Sequence, residues 1–176
     1  MKARSFSHVG ITVSDFNAAV RFYWETFGAP LVGVSETPSE RVRTFFGVDA
    51  PQPTCRIGWI RVPGGATIEI FEFQPQQPAQ PVTWSRVGLT HFSINVRNIH
   101  RWHAALTAKG VTVLGSPQQS PNGGQWFFFI KDMDGNLIEI MDLGRMYYVL
   151  QWLGALGGWL FRRDLVFKYG RYYEPR

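Results

Sequence analysis

Two stretches of the chain alternate apolar and polar residues and then switch to helical spacing. Ser7-His8-Val9-Gly10-Ile11-Thr12-Val13 is the first, and Thr90-His91-Phe92-Ser93-Ile94-Asn95-Val96 repeats it 83 positions later. Alternation with period two predicts half-buried strands. After the first, Phe16, Ala19, Val20, Tyr23 and Phe27 recur at helix spacing, with Ser14 or Asp15 as N-cap and Gly28 as stop. After the second, Ile99, Trp102, Leu106 and Lys109 do the same between Asn98 and Gly110. The ends of the two segments match at an offset of 70. Gly65-Ala66-Thr67-Ile68-Glu69-Ile70-Phe71-Glu72 parallels Gly135-Asn136-Leu137-Ile138-Glu139-Ile140-Met141-Asp142. Each reads as the return strand of a hairpin, with turns at Pro63-Gly64-Gly65 and Asp134-Gly135-Asn136 and outgoing strands at Arg56–Val62 and Trp126–Ile130. A short strand is expected after each helix, near Leu31–Val34 and Val111–Leu114.

The chain therefore reads as an α+β protein made of one module used twice, each module a strand, a helix and three strands. Residues 1–73 form the first module, 74–86 a Gln/Pro-rich linker, 87–143 the second module, and 144–176 an aromatic, basic extension. Composition agrees: 45% hydrophobic residues with 18% charged excludes a disordered chain. The net charge of +5 sits mostly in the extension. Residues 1–143 carry 12 Lys+Arg against 11 Asp+Glu, so the body lacks the basic face that nucleic-acid binding needs. One cysteine, Cys55, excludes an intrachain disulfide. No secretory signal is visible, and the expectation is a cytoplasmic protein.

In each module the first strand carries a histidine and the last a glutamate: His8 with Glu69, and His91 with Glu139. Taken singly, each reads as an ordinary strand residue. Taken together, the repeat makes the two pairs equivalent, and a pseudo-twofold arrangement could unite them. Two imidazole nitrogens and two carboxylates suit one divalent ion (Zn, Ni, Co, Mn or Fe(II)) and leave positions for two neighbouring oxygens of a substrate. Each glutamate stands between isoleucines, so it faces away from the side the isoleucines bury. Arg56, Phe71, Ser93 and Met141 are the candidates for touching a small-molecule substrate. His100 and His103 read as a structural pair on the second helix, and Cys55 as structural.

These residues resemble the vicinal oxygen chelate superfamily, which includes glyoxalases, bleomycin-resistance proteins and extradiol dioxygenases. The carriers are His8-Val9-Gly10-Ile11, Ala19-Val20-Arg21-Phe22-Tyr23, Phe27-Gly28, His91-Phe92, Ala108-Lys109-Gly110-Val111 and the run Phe129–Ile140. The resemblance covers residues 6–143 and implies paired βαβββ modules whose sheets curve as a half-barrel around a metal. It maps His8, Glu69, His91 and Glu139 onto the four ligand positions of glyoxalase I. Methylmalonyl-CoA epimerases are similar but often carry Gln at the position of Glu69. Extradiol dioxygenases use only the positions of His8, His91 and Glu139. Glu69 thus tilts the implied chemistry toward a lyase or isomerase, with Glu139 or Glu69 as general base beside a metal-bound carbonyl. An extradiol-type dioxygenase and a metal-free ligand-sequestering resistance protein are the alternatives.

The extension is not explained by that resemblance. Residues 146–161 hold one polar side chain, Gln151, and would make a helix of about 24 Å, short of a bilayer's hydrocarbon core. Three roles fit: packing on a homodimer partner, a lid over the metal site, or peripheral membrane contact through 146–163 with basic flanks.

Overall fold

The computed structural model describes residues 4–121 and 123–154. Eight strands and three helices alternate in two sets: β1 (His8–Thr12), α1 (Phe16–Phe27), β2 (Leu31–Thr37), α2 (Ser39–Phe46), β3 (Thr54–Arg61) and β4 (Thr67–Gln74), then β5 (His91–Asn95), α3 (Ile99–Ala108), β6 (Thr112–Gln119), β7 (Trp126–Lys131) and β8 (Leu137–Asp142). A further helix covers residues 146–154. Each set builds a four-stranded mixed sheet, in the order β1-β4-β3-β2 and β5-β8-β7-β6. The strand that opens each set pairs in parallel with the one that closes it, and this crossover lays each module's leading helix across its sheet.

The helices begin and end where their capping chemistry requires. Asp15 Oδ1 accepts from Ala18 N at 2.8 Å, and Gly28 ends α1 in the left-handed region at φ 64°. Asn98 caps α3 through Arg101 N at 3.1 Å from its own left-handed conformation, φ 62°. An acidic residue on the last strand of each module adds a second tie. Glu72 accepts from Phe16 N at 2.9 Å, and Asp142 accepts from Asn98 N at 2.8 Å.

The isoleucines that flank each glutamate are buried. Ile68, Ile70, Ile138 and Ile140 join Phe16, Tyr23, Leu106 and Phe128 in one core that runs through both modules. Full burial of such side chains contributes roughly 1.5–3 kcal/mol each. The modules thus pack helix side to helix side, with Phe27 of α1 stacked on Trp102 of α3 at 6.1 Å. The Asp132 carboxylate, also buried, accepts from the backbone of Asp134 and Asn136 within its own turn and from Tyr23 Oη at 3.0 Å across the module boundary. That turn carries hairpin chemistry, with Gly135 at φ 83°.

Two features depart from the expected elements. The strands after the helices run on to Thr37 and Gln119, beyond the expected Val34 and Leu114. The first module also contains α2, whose eight residues with one buried side chain, Val42, leave little periodicity in the sequence. Its signs are Pro38 at the start, Gly47 at φ 68° at the end, and Val42, Phe45 and Phe46 at i, i+3 and i+4. The extension beyond residue 154 lies outside the described residues, and so do the roles expected of it. Among the described residues no helix is long and apolar enough to cross a membrane.

Candidate metal centre

The parallel pairing of β1 with β4 sets His8 opposite Thr67 and Gly10 opposite Glu69. His8 and Glu69 therefore share a face two positions apart, and Nε2 stands 3.1 Å from Oε2. The second sheet repeats the arrangement, with His91 opposite Leu137 and Ser93 opposite Glu139. There the Nε2 to Oε2 distance is 3.7 Å. Both pairs lie on the sheet face turned away from the isoleucines, as strand alternation requires.

The other imidazole nitrogen is occupied in the same way in both modules. Ser7 Oγ lies 3.0 Å from His8 Nδ1, and Thr90 Oγ1 lies 3.0 Å from His91 Nδ1. A hydroxyl one residue upstream thus engages Nδ1 and leaves Nε2 toward the carboxylate. Such partners orient metal-ligating histidines. The sequence carries this as Ser-His and Thr-His at the same repeat position.

Small residues stand opposite both carboxylates. Gly10 faces Glu69 across the strands, and a Cβ there would come within 3.2 Å of the Phe71 ring. Ser93 takes the equivalent place opposite Glu139. On the other side of each glutamate is an aromatic ring, Trp59 beside Glu69 and Phe129 beside Glu139. Phe71 continues the first face, stacked on Phe73 at 6.0 Å and met by Phe46 of α2 at 5.9 Å. Met141 continues the second face, opposite Phe127.

Arg56 does not join them. It lies on the opposite face of β3, its guanidinium 3.9 Å over the Phe16 ring and its Nε 3.6 Å from Glu36, where β alternation removes it from Trp59 and Glu69. His100 and His103 also stay apart from the site, against Trp126 and Phe128 at 5.0 and 5.2 Å. Cys55 is fully buried, and burial pushes its thiol up to about 11, with Glu36 adding to the shift. A thiol held protonated in this way is a poor nucleophile at neutral pH.

The four candidate ligands come together as two pairs on two separate sheets. Among the described residues no group of three or more His, Cys, Asp or Glu side chains is placed to hold one ion. A cleft of about 710 Å³ lies between the end of α2, the 75–82 segment and the 134–136 turn, and includes none of the four. The reason is geometric: the modules pack through their helices, so the two ligand-bearing faces look outward in one copy of the chain.

Comparison with known proteins agrees with this architecture. The profile of the glyoxalase/bleomycin resistance protein/dioxygenase superfamily matches residues 5–140. A 2-epi-5-epi-valiolone epimerase from an Actinomyces species is 31% identical over 144 residues, covering 77% of this chain and 78% of that protein. A lactoylglutathione lyase from Arabidopsis thaliana is 24% identical over 141 residues, 80% of this chain, and the chain spans 45% of that protein's length. Among solved structures, a glyoxalase family protein from Bacillus cereus matches 82% of this chain and 97% of its own with a TM-score of 0.67 at 24% identity, a likeness of fold.

Proposed function

Because the chain belongs to the glyoxalase/bleomycin resistance protein/dioxygenase superfamily, we propose that it is a metal-dependent lyase or isomerase acting on a small carbonyl compound, with His8, Glu69, His91 and Glu139 as ligands of one divalent ion. The observation that carries this reading is the doubled His–Glu pair, at one register in two sheets, with each Nδ1 engaged by a neighbouring hydroxyl. The donor set fits a borderline ion such as zinc, nickel, cobalt, manganese or ferrous iron. One copy of the chain offers it in halves. Two copies related by a twofold axis complete it, the His8–Glu69 pair of one beside the His91–Glu139 pair of the other.

A bound ion supplies Lewis acidity toward a carbonyl oxygen and so acidifies the adjacent C–H. The chain does the proton work. Glu139, 3.7 Å from His91 and mostly shielded from water between Ser93 and Phe129, takes the proton on a carboxylate oxygen and returns it to a neighbouring carbon. Glu69 stands ready on the opposing half, so a proton removed from one face can be replaced from the other. Gly10 and Ser93 leave room for the substrate, while Phe71 and Met141 keep water from its flanks. Glu69 supports redox-neutral chemistry over dioxygenation, since a two-His-one-carboxylate iron centre has no use for a fourth protein donor, and here that donor belongs to the tighter pair.

The test mixes two variants. His8→Ala and His91→Ala proteins are each expected to bind metal weakly and to lack activity. Refolded together, half of the dimers would be mixed and would carry one intact site, restoring about a quarter of the wild-type metal content. Metal is read by elemental analysis. Wild-type protein that takes up no transition metal would make ligand sequestration the better reading, and native iron would favour dioxygenation. Metal uptake with no recovery in the mixture would confine the site to one chain.

A further inference from the structure

The two half-sites are built on equivalent strands, and beside the second of them lies the segment joining the modules. Trp84, from that segment, rests against the second half-site. Its indole centroid is 5.5 Å from the His91 imidazole and 4.9 Å from the Phe129 ring, and His91 and Phe129 are 5.2 Å apart. All three contacts are edge-to-face, the geometry that aromatic quadrupoles favour. Phe127 extends the cluster at 5.9 Å from Phe129. Among the described residues no ring stands beside His8 in the same way, and the His8 side chain is 42% exposed against 28% for His91.

Trp84 itself remains 59% exposed in one copy of the chain. A tryptophan in contact with two rings, with most of its surface still in water beside a candidate ligand histidine, presents an apolar surface that a ligand can cover. Phe129 lies directly opposite Glu139, so the same surface borders the candidate base. We infer that Trp84 and Phe129 form an aromatic wall on the His91 side of the site, and that the substrate carries a flat unsaturated or aromatic group beside its chelating oxygens. The inference rests on the metal-dependent reading above and deepens it. It assigns the substrate's reacting oxygens to the ion and its planar body to the second module. The linker is present once per chain, and it therefore sets which way round an asymmetric substrate lies.

Two hydroxamates separate the wall from the metal. Acetohydroxamate and benzohydroxamate chelate through the same pair of oxygens and differ in a methyl against a phenyl group. For the zinc-loaded full chain, benzohydroxamate is expected to bind about tenfold more tightly, read by titration calorimetry. In Trp84→Ala that preference should fall to about two- to threefold, with zinc content and acetohydroxamate affinity unchanged, and Trp84→Phe should restore most of it. An unchanged preference in Trp84→Ala, or equal loss for both hydroxamates, overturns the wall while leaving the metal reading intact. Failure of wild type to take up zinc, or to bind either hydroxamate when loaded, overturns both. Trp84 sits outside helix and strand with its side chain mostly in water, so thermal melting of Trp84→Ala should match wild type.

Discussion

His8 and Glu69 lie 61 positions apart in sequence and meet because β1 pairs in parallel with β4 at a register that offsets them by two residues. A slip of one residue would turn Glu69 into the isoleucine core and send Ile68 or Ile70 to the open face, so burial of the isoleucines holds the candidate ligands outward. The same logic separates roles within β3. Trp59 stands on the site face, while Arg56 is turned to Phe16 and to the start of α1. An arginine in an apolar strand draws attention as an anion ligand, and only the register of β3 against β4 shows that it faces the other way. At this scale the proposed chemistry gives a direct expectation. Glu139→Gln keeps the size and the hydrogen-bonding reach of the side chain but removes its basicity, together with the charge it would offer the ion, so metal content is measured beside turnover. Turnover in that variant should drop by about 10²–10⁴-fold, with thermal melting and far-ultraviolet dichroism near wild type. Turnover within a few-fold of wild type would remove Glu139 as the base.

Helices and turns followed their local chemistry closely. Asp15, Asn98, Gly28 and the glycines of the two hairpin turns occupy the capping and turn positions that their conformational preferences indicate. Asn98 combines two demands, since it caps α3 through its side chain and sits at φ 62°. Asn98→Ala loses the cap and strains the backbone, and should cost about 1–2 kcal/mol. Asn98→Gly loses the cap but relieves the strain, and should cost only a few tenths of a kcal/mol. Urea unfolding of the two variants checks that order. The element that escaped sequence reading, α2, is held mainly by contacts distant in the chain: Val42 is buried beneath it and Phe46 packs on Phe71 and Phe73. Its stability is tertiary, and a short helix of that kind leaves little periodicity to read.

Across the whole molecule, the packing of the two modules sets the two His–Glu pairs apart. One shared core, the Phe27–Trp102 stack and the Tyr23–Asp132 hydrogen bond bind the modules by their helix sides. Burial, with the Asp132 carboxylate next, holds the Tyr23 phenol well above its ordinary value of 10.0. The unfolded phenol therefore ionises first, and stability from this group is complete below pH 10 and is lost as pH rises beyond it. Tyr23→Phe should lower stability by about 1 kcal/mol at neutral pH, because Asp132 keeps its bonds to Asp134 and Asn136. Denaturation as a function of pH should also show a shallower alkaline decline in Tyr23→Phe than in wild type. An equal decline in both would mean that this phenol does not carry the linkage.

Periodicity, caps and the internal repeat are properties of neighbouring residues, and they were sufficient to read the α+β class, the doubled strand–helix–strand pattern, and His8, Glu69, His91 and Glu139 as equivalent pairs. Strand alternation alone set the glutamates opposite the isoleucines. What depended on tertiary structure involved residues far apart in the chain: the face on which Arg56 lies, the helix α2, the approach of Trp84 to His91, and the separation of the two His–Glu pairs within one copy. A repeat establishes that two half-sites are alike. Where they lie relative to one another follows from which surfaces the modules bury against each other: the isoleucine faces and the helices share one core, so both ligand faces are turned away from it.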